Sequence, residues 1–185
     1  PAIVRMHNGV WAAVFGNGYN NRDTDDHVST TGNAVLYIVD ISDGSLIRKF
    51  DTGVGDTTDP NGLATPAVVD INGDNIADVI YVGDLRGNLW KIDVNDADKD
   101  EWEVAYGGDP LFTATDGANP QPITSRPEVG RGPFGTDLNV YFGTGQYLGS
   151  PDTATTSVQT FYAIIDKGIP VADGRTNLLE QTVIF

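Results

Sequence analysis

The nine residues Asp70-Ile71-Asn72-Gly73-Asp74-Asn75-Ile76-Ala77-Asp78 place oxygen donors at alternate positions. Side-chain oxygens fall at the first, third, fifth and ninth places, and Ile76 offers its carbonyl at the seventh. Calcium is a hard cation that takes six to eight oxygens at about 2.3–2.6 Å and tolerates irregular geometry. Asp70, Asn72, Asp74, Ile76 through its carbonyl, and Asp78 are therefore the candidate metal ligands, with calcium as the cofactor and water completing the shell. Magnesium suits the set less, because it demands an octahedral, water-rich site. Gly73 relaxes the turn between the second and third ligands. The pattern departs from an EF-hand: Tyr81 stands where that loop has its bidentate glutamate, and Asn75 where it has glycine. A metal-free turn rich in Asp and Asn is the alternative. Three carboxylates this close repel one another unless neutralised, so the loop is expected to lose its order without metal.

Other constellations carry less. Asp23, Asp25 and Asp26 have no periodic frame and read as a solvated loop. Asp93, Asn95, Asp96, Asp98 and Asp100 alternate, but Lys99 intrudes and surface is the simpler reading. His7 and His27 show no partner pattern for zinc or acid–base chemistry. No Gly-x-Ser-x-Gly elbow appears, and Gly143-Thr144-Gly145 lacks the Lys-Ser/Thr of a phosphate loop. Trp11, Trp90 and Trp102 are expected in the core rather than on a stacking surface. These residues do not point to an enzyme.

The elements that must hold the acidic loop are strands. Ala67-Val68-Val69 precedes it and Val79-Ile80-Tyr81-Val82 follows it. Two patterns recur three times along the chain. An apolar run ends in glycine at Val14-Phe15-Gly16, Tyr81-Val82-Gly83 and Tyr141-Phe142-Gly143. A second run ends in aspartate at Leu36–Asp40, Leu89–Asp93 and Tyr162–Asp166. Thr65-Pro66-Ala67-Val68 and Ser125-Arg126-Pro127-Glu128-Val129 open the last two units as possible edge-strand starts, with proline where no ladder donor is needed. Trp90, Ile92 and Val94 share one strand face. Long polar insertions, Asn17–Gly32 and Thr144–Gln159, separate the second and third patterns in the outer units, whereas Asp84-Leu85-Arg86-Gly87 makes a tight turn in the middle one. No amphipathic helix stands out; Asp173–Thr182 is at most a short one. The expected fold is all-β: a partial β-propeller of about three blades with long inserted loops, residues 1–185 forming one domain or a fragment of a larger propeller. Three blades leave open edges, so the rest of a parent propeller is the first partner expected.

Net charge is −15, from 26 acidic and 11 basic residues. A surface this negative repels phosphate backbones, which excludes nucleic acid as a partner. Cysteine is absent, which removes disulfides and thiolate metal sites. No run of apolar residues is long enough for a transmembrane segment. The chain opens at Pro1 without a signal peptide and reads as a processed piece or excised fragment.

Trp11–Asn20, Asn61–Pro66, the Asp70–Asp78 loop, Tyr81–Trp90 and Tyr141–Gly145, in that order, resemble the C-terminal β-propeller of PilY1-like type IV pilus biogenesis factors. The acidic loop joined to Gly83–Trp90 is the specific part of the likeness. The resemblance implies a modified propeller with quinoprotein-dehydrogenase-like blades, at the bacterial outer membrane, periplasm or cell surface, or at the pilus tip. It implies that Asp70, Asn72, Asp74, the Ile76 carbonyl and Asp78 bind calcium, and that calcium occupancy governs pilus extension against retraction. Pilus subunits or minor pilins, and host or surface receptors, are the partners it implies. No Arg-Gly-Asp triplet is present, so integrin contact does not follow. Two other functions fit parts of the pattern. One is an integrin-α-like, calcium-stabilised adhesion propeller, which would repeat its loop in every blade. The other is a quinoprotein dehydrogenase fragment, which would need a general base beside a cofactor platform.

Overall fold

The computed structural model describes residues 1–19, 29–132 and 137–182. Among these described residues, twelve strands form three antiparallel sheets. The first runs β1 (Ala2–Arg5), β2 (Trp11–Gly16), β3 (Asn33–Asp40) and β4 (Leu46–Gly55). The second runs β5 (Ala67–Val69), β6 (Val79–Gly83) and β7 (Asn88–Asp93), and its fourth position is split. There β8 (Glu103–Val104) pairs with Ile92–Asp93, and β9 (Phe112–Thr113) with Asn88–Leu89. The third sheet is β10 (Glu128–Arg131), β11 (Leu138–Gly143) and β12 (Phe161–Asp166). Each sheet is an up-and-down meander, the unit of a propeller blade. Among the described residues there is no α-helix, only short 3₁₀ turns, one of them at Gly174–Asn177 within the stretch where a short helix was conceivable.

The recurring patterns are the second and third strands of each blade: runs ending in glycine are β2, β6 and β11, and runs ending in aspartate are β3, β7 and β12. The proline-led segments open β5 and β10. The turn between β3 and β4 is Asp40–Gly44, closed by the Gly44 N–H donating to the Asp40 carbonyl at 2.9 Å.

The second blade lies between the other two, which explains its composition. All five residues of β6 are buried. Ile80 and Val82 pack with Trp90, Ile92 and Val94 against Val14, Leu36 and Ile38 of the first blade. Val79, Tyr81 and Leu89 face the third blade, with Val140, Phe142, Tyr162 and Ile164. A strand covered on both faces reads as a continuous apolar run, and Val79–Val82 is one. Phe112, Phe142 and Tyr162 close the second joint, with centroids 5.0 Å apart for Phe112–Tyr162 and 5.4 Å for Phe142–Tyr162.

One expectation about the core needs correction. Trp90 and Trp102 are 1% exposed, but Trp11 is 54% exposed. Strand alternation is the reason: Ala12 and Val14 take the face of β2 toward the second blade, which puts Trp11 on the opposite face beside Ile3. Phe161 and Ile165 are exposed in the same way on the far face of the third blade.

Candidate metal centre

The Asp70–Asp78 segment is the connection from β5 to β6. Its equivalents are the β1–β2 turn in the first blade and the β10–β11 connection in the third. The β1–β2 turn and the end of β10 both reach this loop. Val69 and Val79 are paired across the base of the loop, and Asp78 N–H donates to the Val69 carbonyl at 2.9 Å.

Inside the loop the carboxylates gather backbone donors. Asp70 Oδ1 accepts from Gly73 N–H at 2.6 Å and from Asp74 N–H at 3.3 Å, and Oδ2 from Asn75 N–H at 2.7 Å. Asn72 Oδ1 accepts from Asp74 N–H, and Asp74 Oδ1 from Ile76 N–H, both at 2.8 Å. Desolvation is the largest single influence on the Asp70 carboxyl and acts to raise its pKa, but the N–H groups of Asn75, Gly73 and Asp74 together prevail and hold it below its ordinary value. Asn75 sits at φ 67°, a conformation Asn tolerates and most residues resist. Asp70, Asn72 and Asp74 are exposed, whereas Asp78 is 1% exposed.

Asp78 has two partners. Its Oδ2 accepts from Ile71 N–H at 2.6 Å, closing the loop across its base. Its Oδ1 lies 2.8 Å from His7 Nε2. An ionised carboxylate only accepts, so the imidazole donates. His7 belongs to the β1–β2 turn, where Gly9 N–H donates to the Met6 carbonyl and Met6 N–H to the Val10 carbonyl, both at 2.9 Å. Beside it, Ala77 N–H donates to the Arg5 carbonyl at 2.9 Å, and Arg5 forms a parallel bridge with Ile76. On the other side Arg131, at the end of β10, donates through Nη2 to the Ile71 carbonyl. The acidic loop thus touches all three blades.

Five of the expected ligands lie in this one segment. Its donors are all oxygen and three are carboxylates, which suits a hard cation. Each carboxylate oxygen that takes a single N–H keeps a second lone pair. Among the described residues, however, no three His, Cys, Asp or Glu side chains are placed to hold a metal ion. Asp78 in particular is engaged by His7 and Ile71.

Sequence reasoning missed His7 and Arg131. Asn8-Gly9 is a hairpin signal that identifies the β1–β2 turn, but nothing local ties His7 to a residue 71 positions away. The acidic stretch after β7 is a surface loop, as expected. Asp96 accepts from Asp98 N–H and Asp98 from Asp100 N–H, while Asp100 pairs with Lys99 and Arg48. Asp23, Asp25, Asp26 and His27 lie outside the described residues.

A second buried carboxylate holds the turn after β6. Asp84 is fully buried; its Oδ1 accepts from the N–H groups of Arg86 and Asn88, at 2.9 and 2.8 Å. Its Oδ2 accepts from Asn61 Nδ2, Asn88 Nδ2 and Trp90 Nε1, each at 2.9 Å. Five donors replace the water this carboxylate gives up, so its role is to fix the turn.

Residues 1–183 match the PilY1 beta-propeller domain family model. The chain is 42% identical over 200 residues to a type IV pilus biogenesis factor PilY1 homolog of Xylella fastidiosa, covering 99% of this chain and 13% of that protein. It is 38% identical over 209 residues to the type IV pilus biogenesis factor PilY1 of Pseudomonas aeruginosa, covering 99% and 17%. The crystal structure of the Pseudomonas aeruginosa PilY1 C-terminal domain superposes with a TM-score of 0.80 at 35% identity, over 90% of this chain and 36% of that one. The chain thus spans less than a fifth of the length of these full-length relatives. With three meander blades and an oxygen-rich loop at their joint, it belongs to the PilY1 β-propeller family.

Proposed function

We propose that this domain is a non-enzymatic, calcium-binding module of a type IV pilus biogenesis and tip-adhesion protein, in which calcium occupancy governs pilus extension against retraction. The observation that carries this reading is the position of the Asp70–Asp78 loop, an all-oxygen donor set tied to the first and third blades as well as its own. Asp70, Asn72, Asp74, the Ile76 carbonyl and Asp78 would hold the ion. Bound calcium supplies positive charge that neutralises three neighbouring carboxylates. The loop then has an ordered and a less ordered state, and the blades it touches have the means to differ between them. Family membership supports pilus subunits or minor pilins, and surface receptors, as partners, and a location at the outer membrane or pilus tip. No helix among the described residues is long and apolar enough to cross a membrane. The repeated-loop adhesion propeller has less support, because the equivalent connection in the first blade is the short Met6–Val10 turn.

The test is Asp74→Ala in the full-length pilus protein, with surface pili counted by electron microscopy in calcium-replete and calcium-depleted medium. A changed pilus number that no longer responds to calcium, at unchanged protein level, is the expected outcome. Wild-type numbers with a wild-type calcium response contradict the regulatory reading.

A further inference from the structure

We infer that His7 is the positioning residue for Asp78, and that the β1–β2 hairpin is the element through which the state of the acidic loop reaches the first blade. The inference rests on the calcium reading above.

Three contacts converge on this hairpin. His7 Nε2 meets Asp78 Oδ1 at 2.8 Å, Ala77 N–H donates to the Arg5 carbonyl at 2.9 Å, and Arg5 bridges to Ile76. They engage the last three residues of the loop, among which are two of the five candidate ligands. The hairpin presents His7 rigidly. Met6 is fully buried in the first core and Val4 packs against it, so residues on both sides of the turn's entry are anchored. Gly9 N–H closes the turn onto the Met6 carbonyl, and Val10 N–H is held by Asn8 Oδ1 at 3.2 Å.

Asp78 is where such a contact matters most. Asp70, Asn72 and Asp74 are exposed and take their hydrogen bonds from the loop's own backbone. Asp78 is the buried ligand, and it is the one that takes a side-chain donor from another blade. With the His7 ring N–H on Oδ1 and Ile71 N–H on Oδ2, the rotation of the Asp78 carboxylate is fixed and each oxygen keeps a lone pair. Partners behind a metal ligand act in this way, and their loss costs about 10–100-fold in metal affinity. Because the donor stands on β1–β2, any movement of Asp78 pulls on the hairpin, and the hairpin is continuous with the core that joins the first two blades.

The experiment is hydrogen exchange of the 185-residue chain with and without calcium, combined with calcium calorimetry on wild type, His7→Leu and His7→Gln. In wild type, calcium is expected to slow exchange in residues 2–11 as well as in residues 70–78. His7→Leu is expected to bind calcium at least about 10-fold more weakly and to leave exchange in residues 2–11 unresponsive. His7→Gln, which keeps a donor, is expected to recover most of the affinity. Wild type that binds calcium with residues 2–11 unaffected overturns the relay, without need of a variant. A folded His7→Leu with wild-type affinity overturns the positioning role. Wild type that binds no calcium fails a step earlier: it overturns the metal reading and this inference with it.

Discussion

Lys91 Nζ lies 2.7 Å from Asp166 Oδ2, so the end of β12 in the third blade is held to β7 in the second by an ion pair whose carboxylate is buried and whose ammonium is partly so. Tyr81 donates to the same carboxylate at 2.5 Å and Tyr106 at 2.7 Å, and Gly168 N–H adds a fourth donor at 2.9 Å. Burial, and then the negative charge of Asp166, push both phenols well above their ordinary value, so they stay protonated donors. Breaking a buried pair leaves the surviving charge unsatisfied, which makes this contact a strong tie between blades.

Its pH dependence follows in sign. Burial opposes ionisation of Asp166, but the donors Lys91, Tyr81, Tyr106 and Gly168 outweigh it and lower the carboxyl's pKa. A carboxyl depressed in the folded state contributes stability above its unfolded value of about 3.9 and loses it as pH falls through the folded value. Urea midpoints measured between about pH 2 and 6 should fall for wild type below about pH 4. Asp166→Asn should be about 2–3 kcal/mol less stable at the upper end and show a flatter acid limb. Parallel acid limbs would show that Asp166 does not couple to folding in this way.

Asp84→Ala removes the acceptor for five donors in a fully buried turn. Unsatisfied buried donors set a cost of about 3–4 kcal/mol, read as a lowered urea midpoint with unchanged slope. A loss under about 1 kcal/mol would mean that water replaces the carboxylate, which the packing around Trp90 argues against.

Much of the architecture was legible because it repeats. The Gly-ending and Asp-ending runs mark six strands, the second and third of each blade, and Pro66 and Pro127 mark the openings of β5 and β10. β1 and β4 were not. Ala2–Arg5 is too short to show alternation. Leu46–Gly55 is mostly polar or exposed, with Phe50 its one buried side chain, and its pairing with β3 shifts register twice. The acidic loop was legible as an oxygen-donor set because its donors are local in sequence. The His7–Asp78 and Lys91–Asp166 pairs were not, since each joins blades that approach only in three dimensions. Trp11 was misread because alternation gives opposite faces but not which face is covered.

The tight turn before β7 makes a contrast between two glycines. Gly87 has φ +81°, and a Cβ there would meet the Ala114 carbonyl oxygen at 2.4 Å. Gly44 has φ +77° with nothing within 4 Å. Both alanine variants carry the left-handed backbone cost of about 1–2 kcal/mol, and only Gly87→Ala adds the overlap with backbone. Gly87→Ala should therefore be the less stable by at least about 1 kcal/mol in urea unfolding. Equal losses would mean that the β9 connection yields without cost.

Calcium binding at Asp70–Asp78 is most directly tested by calorimetric titration of this chain and of Asp74→Ala, with magnesium as control. One calcium site in wild type, lost or weakened at least about 10-fold in Asp74→Ala and not filled by magnesium, is the predicted result. No heat and no thermal shift in wild type would make the loop a hydrogen-bonded turn without a metal function.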